Sequence, residues 1–323
     1  MQFRTSSRLA VPVSEIGFGM WGMGGWTGSD DDESSAALDR AVELGCNFFD
    51  TAWAYGDGHS ERLLGALMRR HPRSRLVIAS KVPPMNRQWP GRASTPADEV
   101  FPYEHVVDST HATLENLGVE ALDLQQLHVW DDSWAEAEWL AARHTRLEAD
   151  GNDSSVRHQR ESMGASQRLA RARDRHRRRR AGRLQRLRSG SGGRAAARVP
   201  PPRHRGHRAC AVRRGSLTGT LTPDARWPDG DWRNIYFAPP HLADTLPRVE
   251  AVRHEADLAG MPLPELALRF ILSNPAVTTT IPGMRRVGHV AANMAAAERH
   301  PLGSEVIARL RRHRWDRLPD GRP

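Results

Sequence analysis

FFDTAWAYGDGHSE, residues 48–61, decides how this 323-residue chain is read. The apolar run at 47–50 is short and β-rich and stops on an acid, Asp50. A polar, glycine-bearing stretch follows it, and then a helix from about Ser60 to Met68. The same order stands on both sides. Val13 to Gly19 reads as a strand, followed by the turn GFGMWGMGGWTG (17–28) and an acid-led helix that Ser29 or Asp30 can cap. LVIAS (76–80) is a strand ending at Lys81, and a helix over about 103–117 precedes ALDLQQLHVW (121–130), a strand reaching His128. Helices at about 240–260 and 263–273, a strand VTTTI at 277–281 and a further helix complete the readable chain. Five parallel-type strands alternating with helices predict an α/β protein, a (β/α)8 TIM barrel.

Between its two readable parts the chain changes character. Residues 141–214 hold 22 Arg against five acids and contain no Phe, Trp, Tyr or Ile, whereas the other 249 residues hold all 20 aromatics. That segment carries +17 of a net +9, so the remainder is acidic, at −8. It offers too little apolar surface to offset ordering entropy, and a disordered state is one expectation for it. The chain therefore divides into 1–140 and 215–323, two parts of one barrel, with strands five to seven replaced by the Arg-rich segment 141–214. A one-base shift explains the replacement. Read one base away with permitted third bases, 157–214 admits 58 consecutive residues without a stop, in a strand, helix, strand, helix, strand order. The competing reading is an arginine-rich nucleic-acid-binding element at 175–188, RHRRRRAGRLQRLR. It lacks interleaved aromatics and any amphipathic stripe, so a nucleic-acid partner is disfavoured. Cys46 and Cys210 are too few for a disulfide framework, and no signal peptide or membrane span is legible, which points to a cytoplasmic protein.

Catalytic groups of such a barrel sit at the carboxyl ends of its strands. Asp50, Lys81 and His128 each fall at such an end, and Tyr55 lies five residues past Asp50. Together they supply a phenol to give a proton to a developing alkoxide and an ammonium to favour the phenolate. They also supply a carboxylate to keep that ammonium charged and an imidazole to orient a substrate oxygen. Lys81 is the only lysine beside 46 arginines, so a compact, tunable cation was retained at this position.

At these residues the chain resembles the aldo-keto reductase family: GFGMWG, FFDTAWAYGDGHSE, VIASKV and DLQQLHVW look like its successive signatures. The resemblance implies NADPH-dependent reduction of a small-molecule aldehyde or ketone, with Asp50, Tyr55, Lys81 and His128 as the catalytic tetrad and Tyr55 as proton donor. GFGMWG also fits the Rossmann glycine pattern, but the next helix opens with DDDE, which would repel a pyrophosphate. Gly17, Gly19 and Gly22 instead let the backbone pass close to cofactor and substrate. Gly19, Met20 and Trp21 are cofactor-side candidates, with Met20, Trp21 and Trp26 able to line the substrate side. GSLTG (215–219) resembles the family's pyrophosphate loop, giving Ser216, Leu217 and Gly219. IPGMRRVGHVAAN (281–293) resembles its adenosine-end motif, giving Gly283, Arg285 for a 2′-phosphate, and Asn293 for adenine. No metal is implied. Two alternatives stand beside the reductase: a non-catalytic barrel resembling potassium-channel β subunits, and the nucleic-acid binder.

Overall fold

The computed structural model describes residues 1–323 apart from 6–8, 10, 26–27, 132, 135–205, 210–212, 230, 300 and 315–323. Most of the Arg-rich segment, and Trp26, lie outside the described residues. An antiparallel pair opens the chain, β1 (Phe3–Arg4) against β2 (Val13–Ser14). The expected strand 13–19 is thus divided. Its first two residues pair with β1, and its last two, β3 (Phe18–Gly19), join a parallel sheet.

From there strands and helices alternate as read, with one short helix, α3, added: α1 (Asp31–Glu43), β4 (Phe48–Asp50), α2 (His59–Arg70), β5 (Val77–Val82), α3 (Ala97–Val100), α4 (Tyr103–Leu117) and β6 (Leu124–Leu127). Asp30 caps α1, its Oδ1 accepting from the Glu33 amide at 2.7 Å, and three acids occupy the first turn, where the helix dipole favours them. Gly118 ends α4 in the left-handed conformation, φ 68°, where its amide meets the carbonyls of Leu114 and Glu115. The second half contributes β7 (Gly206–Ala209), α5 (Trp232–Tyr236), α6 (Pro239–Leu258), α7 (Leu263–Leu272), β8 (Val277–Ile281), α8 (Val287–Glu298) and α9 (Ser304–Arg312).

Strands β3, β4, β5 and β6 pair in that order, all parallel, and β7 pairs parallel to β8. Parallel bridges Ile16–Thr280 and Gly19–Gly283 join β8 to β3. The result is the wall of a (β/α)8 barrel, running β7, β8, β3, β4, β5, β6. One strand of this wall comes from the end of the Arg-rich segment, where 206–209 forms the neighbour of β8. Poor apolar composition limits what a strand can add to a core, whereas ladder hydrogen bonds come from the backbone and are open to any residue but proline.

Side chains alternate across this wall. Phe48, Val77, Ala79, Leu124 and Ile281 form a cluster inside it. Their neighbours Phe49 and Ile78, with Phe18, pack outward against Leu38 of α1, Leu64 and Leu67 of α2, Leu117 of α4, Leu268 of α7 and Met294 of α8. By the same period of two, Asp50 and Lys81 share the inner face with Phe48 and Ala79. Among the described residues no helix is long and apolar enough to cross a membrane.

Candidate active site at the strand ends

The barrel period delivers two opposite charges to the inner face, and they meet. Lys81 Nζ donates to Asp50 Oδ2 at 2.7 Å and to the Thr51 carbonyl at 2.7 Å, with Asp50 buried and the Lys81 side chain 12% exposed. Asp50 is held in turn from the neighbouring strand end, where the Met20 amide donates to its carbonyl at 3.0 Å. The loop after β4 turns back on itself, Tyr55 N bonding Ala52 O and Tyr55 O receiving the Ser60 amide. This return brings the Tyr55 ring to 5.0 Å from Lys81 Nζ. His128, one residue past β6, is fixed by its amide to the Val82 carbonyl at 3.0 Å and lies edge-on to Tyr55, ring centroids 5.4 Å apart. The four candidates from three strand ends form one constellation. Asp50 Oδ1 and His128 Nδ1 are buried and meet no hydrogen-bond partner among the described residues.

Burial works against the charge of Lys81, yet Asp50 and Tyr55 together hold its pKa above the ordinary value. Tyr55 departs from expectation. Burial raises its pKa, and although Lys81 pulls the other way, the net direction is upward. Lys81 thus offsets part of what burial costs the phenolate, and the resting phenol keeps its proton. His128 is pushed down to about 3, first by burial and then by the Lys81 charge, so its imidazole is neutral at working pH. The arrangement contains one protonated phenol, one buried ammonium and one neutral imidazole converging on the same space. Cys46 lies elsewhere, buried against β2 and β4, and its thiol is raised to about 12, chiefly by burial, which makes it unreactive.

The cofactor-side candidates separate into three places. Gly19 sits on the seam between β3 and β8, where an added Cβ would lie 2.6 Å from the Ile281 carbonyl oxygen. Its missing side chain is therefore required by strand closure, and the expected approach to a ligand is not needed to explain it. Met20 is fully buried within the outer core, leaving only its backbone near the mouth, whereas Trp21 is 38% exposed. Gly283 lies across the same seam from Gly19, and Arg285 packs over the turn, its guanidinium near Gly28 and its stem near Gly22. Asn293 is half-buried on α8, two turns in. Ser216, Leu217 and Gly219 follow β7, the strand beside β8. Ser216 is buried, Leu217 packs on the cluster of α6 and α7, and Gly219 is left-handed, its carbonyl receiving Arg253 Nη2 at 3.3 Å.

One aromatic at the mouth escaped the sequence. Trp89 stands edge-on to His128 at 4.5 Å and is half-exposed. Its loop is anchored by Trp134 Nε1 to Thr95 O, by His105 Nε2 to Pro83 O and by Met85 N to Val100 O. Those ties come from α3, α4 and beyond β6, and no local pattern in 83–96 announces them.

Comparison with known proteins supplies a context for this geometry. The family model described as "Aldo/keto reductase family" matches residues 15–158 and 209–314. Its gap, 159–208, falls inside the Arg-rich segment. A curated relative described as "Probable voltage-gated potassium channel subunit beta" of Arabidopsis thaliana is 25% identical over 326 residues, covering 95% of this chain and 94% of its own. Among solved structures, the glycerol dehydrogenase of Gluconobacter oxydans superposes with a TM-score of 0.61 at 21% identity, covering 96% of this chain and 95% of that one. An aldo/keto reductase of Klebsiella pneumoniae in complex with NADP and acetate superposes with a TM-score of 0.52 at 20% identity, covering 94% and 93%.

Proposed function

This chain belongs to the aldo/keto reductase family, and on that premise we propose that its site reduces an aldehyde or ketone to an alcohol with NADPH. The observation that carries the proposal is the buried Lys81–Asp50 pair set against Tyr55, with His128 alongside. A carbonyl oxygen placed between Tyr55 and His128 can accept a hydrogen bond from each. The neutral imidazole orients the oxygen, and Tyr55 gives it the proton as charge develops there. Lys81 stabilises the phenolate that remains, and Asp50 keeps the lysine charged inside the barrel. NADPH, when bound, supplies the hydride. The residues present suit it. Arg285 lies just before the start of α8, whose first turn carries no acid, so an arginine and helix amides are available together to a phosphate. Ser216, Leu217 and Gly219 would hold the pyrophosphate side, and Gly283 and Asn293 the adenosine side. The NADP-bound structural neighbour supports that choice of cofactor.

We propose further that 157–214 is translated out of frame, which leaves a reductase gene whose product, as written, is impaired. The family match stops at 158 and resumes at 209, close to the ends of the stretch that a one-base shift converts. Sequencing the transcript across codons 135–216 tests this, with two compensating indels as the expected result and an unbroken genomic frame as the result against it.

The decisive assay is NADPH consumption with a panel of aldehydes and ketones, run on the frame-restored chain. Turnover supports the reductase. Tight NADPH binding without turnover on any of them would favour a regulatory barrel, the alternative suggested by the channel-subunit relative. Two substitutions refine the assignment. Lys81→Arg should lower kcat about 10²-fold, because the planar guanidinium cannot occupy the ammonium's position between Asp50 and Thr51. Near-parent turnover would make Lys81 structural. Arg285→Ala should weaken NADPH binding by about 10- to 100-fold, the worth of a hydrogen bond to a charged group, and leave NADH unchanged. Equal losses for the two cofactors would remove the 2′-phosphate role.

A further inference from the structure

Helix α2 begins with two polar residues that are fully buried and do not face the mouth, Ser60 and Glu61. Each reaches a residue adjacent in sequence to a member of the charged pair. Ser60 Oγ and Thr51 Oγ1 share a 2.8 Å hydrogen bond, and Thr51 is the residue whose carbonyl receives Lys81 Nζ. Ser60 Oγ also donates to the Met20 carbonyl at 3.4 Å, and Met20 donates its amide to Asp50. Glu61 Oε1 accepts from Ser80 Oγ at 2.6 Å and from Thr113 Oγ1 at 2.9 Å, while Oε2 accepts from Asn116 Nδ2 at 2.9 Å. Ser80 immediately precedes Lys81. On a strand the two point to opposite faces, so fixing Ser80 on the outer face fixes Lys81 on the inner one.

A buried carboxyl with no ion-pair partner among the described residues is a poor way to stabilise a helix–sheet contact. An apolar side chain of similar volume would avoid the cost of desolvation, which also raises the Glu61 pKa. What the carboxyl adds is a rigid two-oxygen fork joining α2, α4 and β5. We infer that Ser60 and Glu61 form a positioning bracket that sets the Lys81 ammonium against Asp50 and Tyr55 from behind the barrel wall. The bracket touches no reacting atom and acts through Thr51 and Ser80.

This inference rests on the reductase reading and is tested in the frame-restored full-length chain. Glu61→Leu should keep a cooperative thermal transition and the parent's NADPH affinity and KM. Its kcat should fall by about 10- to 100-fold, the scale of a misplacement near 1 Å. The alkaline limb of its pH–rate profile should also move, because the ammonium no longer offsets the burial of Tyr55 as fully. Glu61→Gln, whose amide oxygen still accepts from Ser80 and Thr113, should recover most of the lost kcat and the parent profile. If the leucine variant does not fold, Ser80→Ala removes the same bond with little change in volume and should shift the same limb. A folded Glu61→Leu or Ser80→Ala with the parent's kcat and pH profile would overturn the bracket and leave these contacts as packing. A restored parent that turns over no carbonyl would count instead against the reductase, and would remove this inference with it.

Discussion

Tyr55→Phe, made in the frame-restored chain, is expected to lower carbonyl reduction by about 10²- to 10⁴-fold, the usual contribution of a positioned acid, while NADPH affinity stays that of the parent. The phenol is the protonated group at the convergence of Asp50, Lys81 and His128 that is not itself a member of the ion pair, and its contact with Lys81 favours the phenolate it leaves behind. His128 cannot replace it as an imidazolium, since burial and Lys81 hold its pKa at about 3. The phenylalanine ring keeps the edge contact with His128 and removes only the donor. The parent's pH dependence follows from the same groups. Reduction needs the protonated phenol, so activity is present below the Tyr55 pKa and lost as pH rises through it, and that pKa lies above the ordinary 10. No limb from His128 should appear between about pH 5 and 9. Undiminished turnover in Tyr55→Phe would sink the donor assignment. A break near 6.5 that disappears in His128→Gln would show that the imidazole titrates and is not buried as described.

For the 323-residue chain as written, the expected outcome is poor solubility and no NADPH-dependent turnover. A barrel removes its sheet edges only by closing. Among the described residues the wall ends on β7 at one side and on β6 at the other, each with one strand neighbour. The Arg-rich segment 141–214, which includes β7, contains four Leu, three Val and no aromatic, too little to fill the layers inside a barrel of this size. Its 22 arginines also give trypsin a dense set of sites, and the first cuts are expected among 171–214. Expression, size-exclusion chromatography and timed proteolysis read all three. A soluble, trypsin-resistant monomer with a cooperative transition would mean that the segment completes the barrel, and the out-of-frame proposal would be withdrawn.

The parts of this protein that the sequence determined by itself are those governed by short-range rules. Period two and period 3.6 located β4, β5, β6, β8, α1, α2, α4, α6, α7 and α8, though not the short α3 and α5, and the acids Asp30 to Glu33 marked the start of α1. Strand ends then selected Asp50, Lys81 and His128 because a parallel barrel collects such ends at one mouth, and Tyr55 followed from its distance along the chain. Composition alone set 141–214 apart. Contacts between distant positions were decided only by the tertiary structure. β1 pairs with β2, and 206–209 pairs with β8, through backbone groups that every residue carries, so no side-chain pattern marks either one. Gly19 owes its identity to a carbonyl more than 250 residues away, and Met20, beside it, turns into the core rather than toward a ligand. Ser60 and Glu61 read locally as an ordinary polar helix start, and only the stacking of α2 on β4 and β5 gives them Thr51 and Ser80. The direction of the Tyr55 pKa was likewise undetermined, because the attraction of Lys81 is legible from the pairing of residue types, whereas the burial that outweighs it is a property of the whole packed barrel.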